Sequence, residues 1–98
     1  MIAPSNNNEP KFDLGQVVAT PAAIQALEES GESADTFIRR HHTGDWGDVC
    51  KDDAEANEEA LQVAFRIFSV YHTANGVKLY VITEQDRSST TILLASDY

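Results

Sequence analysis

Apolar residues recur along this chain at two periods, and the change falls near Phe65. Before it, the spacing is mostly helical. Phe12 to Ala19, with Leu14, Val17 and Val18 around Gly15, is a short apolar run that predicts an N-terminal strand. Thr20-Pro21 has the form of an N-cap followed by proline at the first helical position. A helix is expected over Ala22 to Ser30, with Ala23, Ile24 and Leu27 on one face and Gly31 as its stop. Ser33 predicts the cap of a second helix, from Ala34 to about His42, with Phe37, Ile38 and His41 turned inward and Asp35 at the positive helix start. Gly44 and Gly47 bracket the sole tryptophan, which predicts a tight loop with Trp46 in the core. Asp52-Asp53-Ala54-Glu55 resembles a capping box for a third helix reaching about Val63, with Ala56, Ala60, Leu61 and Ala64 as a narrow packing stripe.

After Phe65 the pattern is extended. Arg66 to Thr73 and Val77 to Glu84 are rich in β-branched and aromatic residues, and Asn75-Gly76 predicts a two-residue hairpin turn. That turn sets Tyr71 opposite Tyr80 and Val70 opposite Val81. Phe68, Val70, Leu79 and Val81 then face the core. Ile67, Tyr71, Tyr80 and Ile82 form the other face, either covered by the N-terminal segment or a second copy, or left as a contact surface. Ser89 to Leu94 completes a meander after the polar turn at Glu84 to Ser88. The expectation is an α+β fold: an N-terminal strand and two to three short helices on a C-terminal three-stranded antiparallel β-meander. One domain over 12–98 would follow a disordered tail over 1–11.

Charge sharpens this picture. Eleven of the sixteen acids lie between Glu28 and Glu59, against three basic residues, so this stretch holds −8 of the formal net charge of −9. Such a field repels nucleic acid and attracts basic surfaces. The seven basic residues are scattered, with no patch interleaved with aromatics, which disfavours direct nucleic-acid binding. The single cysteine, Cys50, excludes an intrachain disulfide and fits a reducing cytoplasm. No run approaches the roughly 18 apolar residues of a membrane span, and the first residues lack the layout of a secretory signal.

Several segments resemble a family of small proteins carried on bacterial plasmids and integrative elements. Its members are labelled "plasmid-related" or, in places, a type I restriction methylation subunit. The matching residues are Phe12-Asp13-Leu14-Gly15, Ala19-Thr20-Pro21, Arg40-His41, Gly44-Asp45-Trp46-Gly47-Asp48, Arg66-Ile67 with Ser69 and Tyr71, Ile82-Thr83-Glu84, Asp86-Arg87-Ser88, Thr90-Thr91 and Asp97-Tyr98. The resemblance implies a bacterial cytoplasmic setting and an accessory role for a mobile element. It brings no catalytic residues with it. The methylation label conflicts with the sequence, because a methyltransferase needs an α/β cofactor domain with a glycine-rich first turn.

Three clusters bear on chemistry. His41, His42, Asp45, Asp48 and Cys50 are ligand types, but adjacent helical histidines diverge by about 100°, so a capping loop is the expectation and no metal or cofactor is predicted. Glu84, Asp86 and Arg87 suit a solvated turn with a local Glu84–Arg87 or Asp86–Arg87 contact. The acids Asp45, Asp48, Asp52, Asp53, Glu55, Glu58 and Glu59 are the expected partner-binding set, joined by Tyr71 and Tyr80. The sequence therefore predicts a non-enzymatic module that docks on a basic protein. A small enzyme using His41, Asp45, Glu84 and Arg87 is the alternative, as is a structural homodimer.

Overall fold

A computed structural model describes residues 9–98. In chain order the elements are β1 (Gln16–Ala19), α1 (Pro21–Ser30), α2 (Ala34–His42), α3 (Lys51–Gln62), β2 (Ile67–His72), β3 (Lys78–Thr83), β4 (Ser89–Leu94) and a closing 3-10 turn, Ala95–Asp97. The fold is α+β. The predicted tail lies mostly outside the described residues. Within them, Lys11 already donates its backbone N–H to His42 (2.9 Å).

The helix starts follow local chemistry. The Thr20 hydroxyl accepts from the Ala23 N–H at 3.2 Å, with Pro21 at the first helical position. The Ser33 hydroxyl accepts from the Asp35 N–H at 3.2 Å. The expected capping box of α3 does not form. The helix begins two residues earlier than that box requires, at Lys51, and Cys50 precedes it without a side-chain bond. In α1 the buried positions are Ala23, Ala26 and Leu27, while Ile24 is exposed.

The sheet is not the expected three-stranded meander. It has four strands in the order β1-β4-β3-β2, antiparallel except for a parallel β1–β4 pair that adds the N-terminal strand to one edge. The hairpin register also differs by one. Tyr71 stands opposite Leu79, and Val70 opposite Tyr80. The Gly76 N–H bonds the Thr73 carbonyl (2.8 Å) and the Thr73 N–H bonds the Val77 carbonyl (2.9 Å), which closes a three-residue loop. A two-residue type I′ turn needs positive φ at both Asn75 and Gly76, and only Gly76 has it, at 83°. One extra loop residue moves every side chain in one of the two strands to the other face.

The face expected from Ile67, Tyr71, Tyr80 and Ile82 therefore does not exist. Ile67 and Tyr71 point toward the helices and are buried. Tyr71 joins Leu79, Val81 and Ile92 beneath Ala23, Leu27 and Phe37. Tyr80 is on the opposite, helix-free side, where its ring meets Phe68 (4.6 Å) and Tyr98 (5.5 Å). A second cluster joins Trp46, Ala60 and Ile67 under α3. No described helix is long and apolar enough to cross a membrane.

Candidate functional site

The Gly44–Asp48 loop and α3 are fastened to the outer edge of the sheet. Val70 in β2 donates its N–H to the Trp46 carbonyl (3.1 Å), and its carbonyl accepts from the Asp48 N–H (2.7 Å). Gly47 makes this contact possible. Its φ is 73°, and a Cβ there would overlap the Val70 carbonyl and come within 2.6 Å of the Tyr71 ring. Nearly two turns along α3, Asn57 continues the edge. Its amide donates to the Phe68 carbonyl (2.7 Å) and its side-chain oxygen accepts from the Phe68 N–H (3.0 Å). An edge strand that would expose unpaired backbone groups is closed on that side.

Asn57 also corrects the expected packing face of α3. Ala54, Asn57, Ala60 and Leu61 turn inward, while Ala56 and Ala64 are exposed. Asp52, Glu55 and Glu59 then fall on the outward stripe, at spacings of i, i+3 and i+7. Asp53 is exposed too. Glu58 has a structural duty, since its carboxylate accepts from the Trp46 indole N–H at 2.8 Å. Trp46 is buried as expected, at 7% exposure. Glu58, Asp45, Thr43, Gly44 and Lys11 line a cleft of about 330 Å³.

The acids divide by their partners. Asp45 pairs with Arg40 at 2.7 Å, and that guanidinium holds its carboxyl below the usual carboxylate range. Asp48 pairs with His72 at 2.7 Å. The carboxylates of Asp52, Asp53, Glu55 and Glu59 meet no cation among the described residues. Neither Asp45 nor Asp48 caps α3, contrary to expectation. The C-terminal end of α3 is instead served from another element. Arg87, at φ 60°, donates to the carbonyls of Ala60 (2.8 Å) and Phe65 (2.6 Å).

The candidate catalytic residues do not converge. Arg87 is spent on backbone carbonyls rather than on a carboxylate in its own turn, and Glu84 pairs with Arg66 at 3.4 Å. His41 is fully buried, with its two ring nitrogens 2.6 Å from Ser69 Oγ and 2.8 Å from Thr83 Oγ1. His42 contacts the Phe12 carbonyl at 2.9 Å. Among the described residues, no group of three or more His, Cys, Asp or Glu side chains is arranged to hold a metal ion.

The hydroxyls around His41 assign its tautomer. Thr90 donates to the Leu14 carbonyl (2.8 Å), so its oxygen must accept from Thr83 (2.7 Å). Thr83 has then used its proton and accepts from His41 Nε2–H. Nδ1 is left as the acceptor for the Ser69 hydroxyl. The relay runs Ser69 to His41 to Thr83 to Thr90 to Leu14, with every member satisfied. Burial, aided by the neighbouring His42, pushes the imidazole down to about 3, so it is neutral near pH 7.

Ser69 and Thr83 escaped the sequence reading. The signal that marks them is three hydroxyl residues, Ser69, Thr83 and Thr90, in phase with the buried Tyr71, Val81 and Ile92. Tyr71, expected at a partner surface, is a core residue that donates its hydroxyl to the Asp45 carbonyl, and burial raises its phenol above the ordinary value. Comparison with protein-family models, curated proteins and solved structures returns no match.

Proposed function

We propose that this chain is a non-enzymatic binding module that docks the acidic stripe of α3 on a basic protein surface. In the mobile-element setting that the sequence resemblance implies, the partner is a bacterial defence protein that binds nucleic acid. The carboxylates would occupy arginines and lysines in place of DNA or guide RNA, as an anti-restriction or anti-CRISPR inhibitor does. The observation that carries this reading is the unpaired stripe itself. Asp52, Glu55 and Glu59 repel one another along one helix face, and Glu59 sits at the negative end of the helix dipole. Asp52, in the first turn, is favoured by the positive start of the helix, but the mutual repulsion and the position of Glu59 gain folding nothing, and a cationic partner offsets both. The carboxylates are spaced about 4.5–6 Å apart along the helix axis, within roughly a factor of two of the 3.4 Å charge spacing of one DNA strand.

The test replaces Asp52, Glu55 and Glu59 with lysine. Glu58 is left intact because it holds Trp46. The three positions are exposed, so the fold is expected to survive. A pull-down from a bacterial host at low and moderate salt identifies a basic partner, and association kinetics with it follow. The triple variant should associate more slowly at low salt. The difference should shrink as salt screens charges beyond about 8–10 Å. An unchanged association rate at low salt would leave the stripe as a solubility feature and end the inhibitor reading.

A further inference from the structure

The acidic stripe of α3 runs into an exposed apolar turn. Every residue from Gln62 to Arg66, between the helix and β2, is exposed. Among them Val63 is 45% and Phe65 55% exposed, so two large apolar side chains face water side by side with the acids. The turn is fixed at both ends. The Val63 N–H bonds the Glu59 carbonyl (3.1 Å), which places Val63 one turn beyond the last acid of the stripe. The Phe65 N–H bonds the Val63 carbonyl (2.7 Å), and Arg87 reaches from the β3–β4 turn to the carbonyls of Phe65 (2.6 Å) and Ala60 (2.8 Å). A backbone held in this way has little freedom left to lose on binding. The nearby cations are engaged, Arg87 on these carbonyls and Arg66 on Glu84 and the Tyr98 hydroxyl. The last turn of α3 holds no basic residue, so the negative end of its dipole adds to the charge of Glu59.

We infer that Val63 and Phe65 are the apolar anchor of the docking surface, and that its occupant is a cationic protein segment with apolar side chains set among its arginines and lysines. This rests on the reading of the α3 stripe as a partner surface and specifies what that partner carries. Charge selects the occupant. A second copy would bring two unpaired acidic stripes together, and an anionic lipid surface or a nucleic acid would meet the same negative field, so all three are repelled. A cation without apolar side chains would leave Val63 and Phe65 in water. A basic segment with apolar residues satisfies both halves of the surface. Its cations face Asp52, Glu55 and Glu59, its apolar side chains cover Val63 and Phe65, and a guanidinium over the Phe65 ring adds a cation–π contact. The two halves divide the kinetics. The acids steer the approach, and the desolvated aromatic anchor sets how long the complex lasts.

Two soluble peptides of equal length and charge test it, one of arginine and leucine, the other of arginine and serine, each titrated into the isotope-labelled full chain. The wild type should bind the arginine–leucine peptide about tenfold tighter or more, with amide shifts centred on Val63 to Arg66. Phe65→Ser and Val63→Ser should each remove most of that preference while leaving the arginine–serine affinity and the far-UV circular dichroism unchanged. If Phe65→Ser fails to fold, Val63→Ser decides alone. Equal affinity of the wild type for the two arginine peptides overturns the inference, as does a leucine preference that survives both substitutions. So does comparable binding of a glutamate–leucine peptide, which would make the turn a generic apolar patch with no demand for cations. The stripe is judged by a different readout. Replacing Asp52, Glu55 and Glu59 with lysine should abolish arginine–serine binding. If that binding persists, the stripe reading fails and the cationic occupant with it, whereas a lost leucine preference alone removes the anchor and leaves the stripe standing.

Discussion

Lowering the pH from 7 to 4.5 should cost the folded chain about 2.5 kcal/mol through His41 alone. The unfolded imidazole titrates near 6.5 and the buried one near 3. Between those values the unfolded chain holds a proton that the folded chain refuses. The depressed group thus stabilises the fold above pH 6.5, and that stability is lost as pH falls toward 3. The slope approaches 1.36 kcal/mol per pH unit. The loss at pH 4.5 depends little on the folded value, because that value lies below the assay pH. The imidazole is enclosed by Phe12, Trp46, Ser69 and Thr83, and its charged form would face no carboxylate there. Against a total stability of about 5–15 kcal/mol, the loss should move a urea midpoint by about 1–2 M. The assay is urea unfolding by circular dichroism at pH 7, 5.5 and 4.5, for wild type and His41→Gln. Glutamine offers a donor and an acceptor to the two hydroxyls without titrating. The variant should be less pH-dependent by about 2.5 kcal/mol across the range. Equal losses in both proteins would refute the assignment.

Trp46→Ala should destabilise the fold by about 3–5 kcal/mol, because it empties the cluster with Ala60 and Ile67 and removes the indole hydrogen bond to Glu58; a melting temperature within a couple of degrees of wild type would contradict this. Asn57→Leu should cost about 1–3 kcal/mol by leaving both Phe68 backbone groups unpaired. Faster amide exchange at Phe68 and increased aggregation should accompany it, and unchanged exchange would show that the edge is closed by other means.

Much of the fold could be read locally. Thr20-Pro21 and Ser33 announced their helices because a cap is decided by a few adjacent residues, and Trp46 between two glycines announced a buried loop. The failures are non-local. Asn75-Gly76 is compatible with either a two- or a three-residue loop. Apolar side chains occupy both faces of β2 and β3, so alternation did not select the register. The parallel β1–β4 pair joins segments some seventy residues apart. The inward face of α3 was misplaced because its central residue is an asparagine, whose burial makes sense only beside the backbone of an edge strand. The acidic stripe was visible as composition, but which acids are free was not. Glu58 and Asp45 are engaged by Trp46 and Arg40, and the fold alone decides that.

The hydroxyl relay gives this core a means of rejecting a shifted hairpin. Greasy side chains on both faces of β2 and β3 make a one-residue slip nearly neutral in apolar burial. The imidazole is not neutral to it. If β3 slips while β2 stays, Thr83 turns away and Nε2 loses its acceptor. If β2 turns over instead, Ser69 leaves and Nδ1 loses its donor. Either misalignment strands a buried polar atom at a cost of about 1–3 kcal/mol. His41 thus acts as a gauge for strand alignment: the polar atoms at the centre of the domain select the one register that the oily pattern around them leaves open.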